Sequence, residues 1–140
     1  MTAQLLNIRQ QFPLHRKKRI LLIEDNDINR MLLSDYLSYC KYEVQSLPEG
    51  SEFFSTIEKF QPDLILLDLK LPDIDGYSLL AKIQKRSELQ YIPIFVVSAF
   101  AFKTDQEKAM KLGARRYFVK PVNLTELILA IEEELTCQCI

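Results

Sequence analysis

The chain has 140 residues, 48% hydrophobic and 26% charged, the balance of a globular domain and not of a disordered one. Eighteen basic and nineteen acidic residues leave a net charge of -1, which argues against a protein built mainly to grip nucleic acid. No apolar run approaches the ~20 residues that span a bilayer. The segment MTAQLLNIRQQF is too polar for a signal peptide, so the expectation is a cytoplasmic protein without a membrane partner.

Residues 1–18 stand outside the pattern that follows. Leu5, Ile8 and Phe12 suit one side of a short helix, or equally a flexible arm. The run His15-Arg16-Lys17-Lys18-Arg19 reads as a solvated linker, because no further basic stripe accompanies it. From Arg19 onward, apolar runs alternate with amphipathic stretches. Ile20-Leu21-Leu22-Ile23 is the first run and stops at Glu24-Asp25. A helix over DINRMLLSDYLSYC follows, with Asn26 or Asp27 as its N-cap and Ile28, Leu32, Tyr36 and Tyr39 at helical spacing. Tyr42 to Ser46 alternates like an edge strand, and a helix over 49–60 carries Phe53, Phe54 and Ile57.

The run Asp63 to Leu67 is continuously apolar after its first residue, as a strand covered on both faces reads, and it ends at Asp68. LKLPDIDG is a loop, broken by Pro72 and Gly76, before a helix over 77–86 with Leu79, Leu80 and Ile83 inward. Ile94 to Val97 forms a fourth strand ending at Ser98. A weaker helix over 105–112 stops at Gly113, and Tyr117 to Val119 ends at Lys120-Pro121. The last helix starts at Asn123 with Leu127, Ile128 and Ile131 inward. Five strands alternating with five helices predict an α/β fold, a doubly wound parallel sheet between two helical layers, over residues 19–135 with a short tail at 136–140. Cys40, Cys137 and Cys139 form neither a disulfide framework nor a zinc set and read as reduced, incidental thiols.

In such sheets, ligands sit outside the carboxyl ends of the strands. The residues there are Glu24, Asp25, Asp68, Ser98 and Lys120. Each has an ordinary reading taken singly: Glu24 or Asp25 as a helix cap, Ser98 as a turn hydroxyl, Lys120 as a surface charge. Asp68 follows a fully apolar strand and precedes no helix it could cap. Three carboxylates in one pocket repel unless a cation sits among them, and the hard-oxygen set suits Mg²⁺. No Ser-His-Asp or Cys-His arrangement can be drawn, and the three glycines are too scattered for a phosphate loop. The set suits attack by a carboxylate on a phosphoryl donor, with metal, ammonium and hydroxyl holding the equatorial oxygens.

Over about Lys18 to Leu135 the chain resembles the receiver domain of two-component response regulators, through ILLIEDNDINR, PDLILLDLKLPDIDG, IPIFVVSAFA and GARRYFVKPVN. The resemblance implies a flavodoxin-like sheet in the order 2-1-3-4-5. It implies Asp68 as phosphoacceptor, Asp25 as a direct Mg²⁺ ligand, Glu24 acting through metal-bound water and the Lys70 backbone carbonyl as a third protein ligand. It also implies Ser98 as the switch hydroxyl, Lys120 as the phosphate-pairing lysine before a cis peptide to Pro121, and Tyr117 as the switch aromatic, whose other reading is a strand residue packed partly in the core. Phe100, two residues beyond Ser98, would hinder the hydrolytic water and lengthen the life of the acyl phosphate. The implied donor is a histidine kinase or a histidine phosphotransfer protein, and the implied chemistry is self-phosphorylation and autodephosphorylation only, not an enzyme's turnover. With no output domain expected after Leu135, output passes to a protein partner or to self-association on the surface holding Arg115, Arg116 and Tyr117, and the arm could add a homodimer contact. Two alternatives stand beside this switch: a phosphorelay intermediate, and a Mg²⁺-dependent phosphohydrolase, against which Lys70 counts because such enzymes want an aspartate there.

Overall fold

Residues Ile20 to Ile23 offer no polar side chain to either face, and the strand they form, β1 (Arg19–Ile23), is buried from Ile20 on. A computed structural model describes residues 16–137, the side chain of Cys137 excepted. The readings of Leu5, Ile8, Phe12, His15 and Cys139 lie outside the described residues. β1 is joined in one parallel sheet by β2 (Glu43–Leu47), β3 (Leu64–Leu67), β4 (Ile94–Ser98) and β5 (Arg116–Val119), in the order β2-β1-β3-β4-β5. The chain steps outward from β1 to β2 and then crosses to the other side of β1, so strand order reverses between β1 and β3. That reversal opens the crevice in which ligands of such sheets bind.

Alternate strand residues feed two separate cores, as the two-residue side-chain period of a strand requires. Leu21, Ile23, Ile65, Leu67, Ile94 and Val96 pack against α2 (Phe53–Phe60), α3 (Gly76–Gln84) and α4 (Lys103–Lys111), through Phe53, Ile57, Leu79, Leu80, Ile83 and Ala109. Ile20, Leu22, Leu64, Leu66, Phe95 and Val97 face α1 (Asp27–Tyr39) and α5 (Leu124–Cys137) instead. The three-layer arrangement follows from apolar residues on both faces of β1, β3 and β4. β2 at the edge keeps its alternation of exposed and sheltered residues. None of the helices among the described residues is long and apolar enough to cross a membrane.

Two local expectations need correction. In α1 the buried stripe is Leu33 and Leu37 with Tyr36 partly sheltered, whereas Ile28, Leu32 and Tyr39 are exposed. The run Met31-Leu32-Leu33 places apolar residues on two neighbouring stripes, and packing against the sheet selects the one that holds Leu33 and Leu37. Asn26 is the N-cap, its side chain accepting from the Asn29 amide at 2.9 Å. The second correction is α2, which begins at Phe53 and not at residue 49. Gly50 is held out of the helix, its amide donating to the Asp73 carboxylate at 2.9 Å. Within α2, Phe53 is buried, while Phe54 lies at the rim of the core with the Arg86 guanidinium 4.2 Å from its ring centre.

The phase of α1 is testable by truncation. Leu37, 1% exposed, should cost about 2–5 kcal/mol of unfolding free energy when changed to Ala. Leu32→Ala at a 58% exposed position should stay within about 0.5 kcal/mol. Denaturant titration reads both, and equal losses would contradict the phase. Tyr42 supplies a pH test. Burial, and then the nearby Glu132, push its phenol from 10.0 up to about 12. Because the folded value is the higher one, its contribution is complete below pH 10 and is lost as pH rises toward 12. Stability should fall across that window, and less steeply in Tyr42→Phe; identical slopes would refute the assignment.

Candidate functional site

Strand register gathers the site. Ile23 pairs with Leu67, so Glu24 and Asp68 are the next residues on adjacent strands. Their amides continue the ladder, Glu24 donating to the Leu47 carbonyl and Asp68 to the Ile23 carbonyl, both at 3.0 Å. Ser98 pairs with Val119, and the Lys120 amide donates to the Ser98 carbonyl at 2.8 Å. The five residues singled out from the sequence therefore all lie at one end of the sheet, at the carboxyl ends of its strands. Four of them meet directly or through one neighbour; Asp25 stands at the rim, exposed.

Glu24 and Asp68 are 2% and 5% exposed. Between them lies the Lys120 ammonium, donating to Glu24 Oε1 at 2.6 Å and to Asp68 Oδ2 at 2.9 Å. Burial raises the Glu24 carboxyl above the usual carboxylate value, against the pull of Lys120 and of the Asn26 amide, which donates to Oε2 at 3.1 Å. Burial alone would lower the Lys120 ammonium, but bonds to both carboxylates hold it above the ordinary lysine value. The other oxygen of Asp68, Oδ1, accepts from the Lys70 amide at 3.1 Å.

The loop after Asp68 is closed on itself. The Gly76 amide donates to the Leu69 carbonyl at 2.9 Å, and Lys70 and Asp75 face each other as an antiparallel bridge. Position 76 must be glycine, since a Cβ there would stand 2.5 Å from the Leu69 Cα. Asp75 then caps α3, accepting from the Tyr77 amide. The Lys120–Pro121 peptide is cis, in agreement with the expectation for Lys-Pro here.

Carboxylate oxygens of Glu24, Asp25 and Asp68 all lie within 4.8 Å of one another. Two are buried and one is open to solvent, so the set fits a hard divalent cation that keeps part of its water shell. Ser98 is fully buried, and its Oγ accepts from the Phe100 amide at 3.1 Å. The Phe100 carbonyl in turn accepts from the Tyr117 hydroxyl at 2.7 Å, so Tyr117 is turned toward the site. Burial raises the Tyr117 phenol, with the Ser98 hydroxyl pulling the other way. Beside Lys120 opens an apolar groove of about 420 Å³ lined by Leu32, Leu33, Val97, Val122 and Leu124, with Ile28 and Met31 exposed on the same helix.

Sequence reasoning missed the bond from Lys120 to Glu24, the Asp73–Gly50 bond, and Arg30, whose side chain bonds the backbone of Glu24 and Asp25. Arg30 had a readable signal. A long side chain in the first turn of a helix points back over its N-terminus, onto the acidic pair that precedes it.

The response regulator receiver domain family matches residues 20–132. The polar-differentiation response regulator DivK of Brucella anthropi is 32% identical over 118 residues, which is 84% of this chain and 96% of that protein. Among solved structures, a CheY-like response regulator receiver domain protein from Methanospirillum hungatei is 32% identical with a TM-score of 0.76, covering 87% of this chain and 96% of its own. The signal receiver domain of an HD domain-containing protein from Pseudomonas fluorescens is 25% identical with a TM-score of 0.79, over 88% and 98%. With the 2-1-3-4-5 sheet and an acidic pocket at its switch point, these matches show that the chain belongs to the response regulator receiver domains of two-component signalling.

Proposed function

We propose that this receiver domain accepts a phosphoryl group on Asp68 from a phosphohistidine donor and reports it through Ser98, Tyr117 and the surface of α4, β5 and α5. Receiver domains are phosphorylation-switched signalling modules, not classical enzymes; they bind Mg²⁺ at an acidic pocket and interact with histidine kinases or phosphotransfer proteins. The observation that carries the reading is the ammonium of Lys120 bonded to a buried aspartate at the end of the central strand.

In the transfer, the N–P bond of the phosphohistidine breaks and a bond forms between phosphorus and a carboxylate oxygen of Asp68. The departing imidazole nitrogen keeps the electron pair. The Lys70 amide can stay on the oxygen that becomes the acyl carbonyl, while Lys120 turns its ammonium to the phosphoryl oxygens. Asp25 and Asp68, with the Lys70 carbonyl and Glu24 through water, would hold Mg²⁺, which when bound neutralises phosphoryl charge. Ser98 would take a phosphoryl oxygen, altering its bond with the Phe100 amide and so the carbonyl that anchors Tyr117. Arg115 and Arg116, paired with Glu134 and Glu133, lie on the proposed output surface, which could serve a protein partner or a homodimer.

The test is incubation with Mg²⁺ and acetyl phosphate, followed by detection of an acid-stable, base-labile adduct. One adduct is expected in the unaltered chain and none in Asp68→Asn; Lys120→Ala should label without the conformational response. Phe100→Glu should shorten the adduct's life. A label that persists in Asp68→Asn would overturn the reading.

The groove beside Lys120 supports the donor protein as the partner at this face, because Leu32 lines it together with Glu24 and Lys120 of the site, and the exposed Ile28 and Met31 on the same helix extend an apolar face that would suit an apolar helix of the donor. Ile28→Glu should slow transfer from a phosphorylated histidine phosphotransfer protein by about ten-fold, the cost of ~1.4 kcal/mol, and leave labelling by acetyl phosphate unchanged. Equal slowing with both donors would exclude this docking face.

A further inference from the structure

Arg30 is the fourth residue of α1, and its side chain is only 20% exposed. Nη1 donates to the backbone carbonyl of Glu24 at 2.8 Å and to that of Asp25 at 3.4 Å, and Nη2 bonds the Asp27 carboxylate at 2.6 Å. Electrostatics gives this cation a poor place once a metal is considered. It sits at the positive end of a helix dipole and beside the residues that would hold a divalent cation, which it repels. The planar fork of donors supplies geometry instead: one nitrogen reaches the carbonyls of two successive residues while the other is held by the Asp27 carboxylate, which fixes the direction of the first.

We infer that Arg30 is a positioning residue for the metal-binding loop: its guanidinium locks the peptides of Glu24 and Asp25 so that their carboxylates converge with Asp68. The rest of the loop is already tied. Glu24 holds the Asn26 amide through its side chain and the Leu47 carbonyl through its own amide, and Asn26 caps α1. Arg30 joins these turns to the body of the helix, and through Leu33 and Leu37 the helix is packed on the sheet. The chain thus uses a half-buried guanidinium to hold ligands rather than to meet the phosphoryl group. The inference rests on the proposed Mg²⁺ site of Asp25, Asp68 and Glu24.

Calorimetric titration with MgCl₂, without any phosphodonor, tests it on the whole chain. Arg30→Lys keeps the charge and loses the fork; Arg30→Met loses both. Positioning predicts Mg²⁺ binding weakened about ten-fold in both variants, the low end for removing an outer-shell partner of metal ligands. A role through charge alone predicts tighter binding in Arg30→Met and no change in Arg30→Lys. A purely structural role predicts a lower melting temperature in metal-free buffer with unchanged Mg²⁺ affinity. Either of those results overturns the inference. Asp25→Asn is the control that separates the two levels: if it binds Mg²⁺ as tightly as the unaltered chain, the site itself is wrong and the inference falls with it.

Discussion

One ammonium holds two buried carboxylates together at the end of the sheet, and the rest of the site is arranged around that fact. Two such carboxylates on neighbouring strands repel each other and lose their hydration, a combination that is strongly unfavourable without a compensating cation. Lys120 supplies it, from a strand that is not adjacent to either acid. Its backbone is fixed by the Ser98 carbonyl, so the sheet register of β4 and β5 determines where the charge arrives. The compensation is incomplete for Glu24, whose carboxyl stays above its ordinary value.

The same contacts lead outward. Ser98 and Phe100 share a hydrogen bond, Phe100 holds the Tyr117 hydroxyl, and beyond them the Tyr77 hydroxyl meets Asp105 at 3.3 Å with the Lys108 ammonium over its ring. Continuity of contact does not by itself carry a signal; an element with two arrangements does. We propose Tyr117 as that element, because its hydroxyl is bound to a carbonyl in the loop after β4, the strand whose last residue, Ser98, accepts the Lys120 amide. Under that proposal the output surface would respond to one covalent event through a side chain that is neither wholly buried nor wholly free.

Much of this was legible in the sequence because topology places strand ends together whatever the helices do. Four-residue apolar runs announce buried strands, and the polar residue that ends each run is the one that reaches the crevice. The 2-1-3-4-5 order itself came from the resemblance and not from periodicity. What the sequence could not settle were phases and backbone contacts. Met31-Leu32-Leu33 allows two helical stripes, and only the packing of α1 against β1 and β3 selects Leu33 and Leu37. The helix expected from residue 49 starts only at Phe53, where a bond from Gly50 to a loop twenty-three residues away keeps residues 49–52 out of α2. The bridging of Glu24 by Lys120 is not legible either, since the resemblance implies only a metal-bound water for the longer arm of glutamate.

The central claim is that one aspartate, and no other acid in the pocket, becomes the phosphorylated residue. Borohydride reduction of the phosphorylated chain followed by peptide mass spectrometry reads this directly, because an aspartyl phosphate is reduced to homoserine while free carboxylates are untouched. The account predicts homoserine at position 68 alone. Conversion of Glu24 or Asp25 instead, or of none of the three under saturating donor and Mg²⁺, would contradict it.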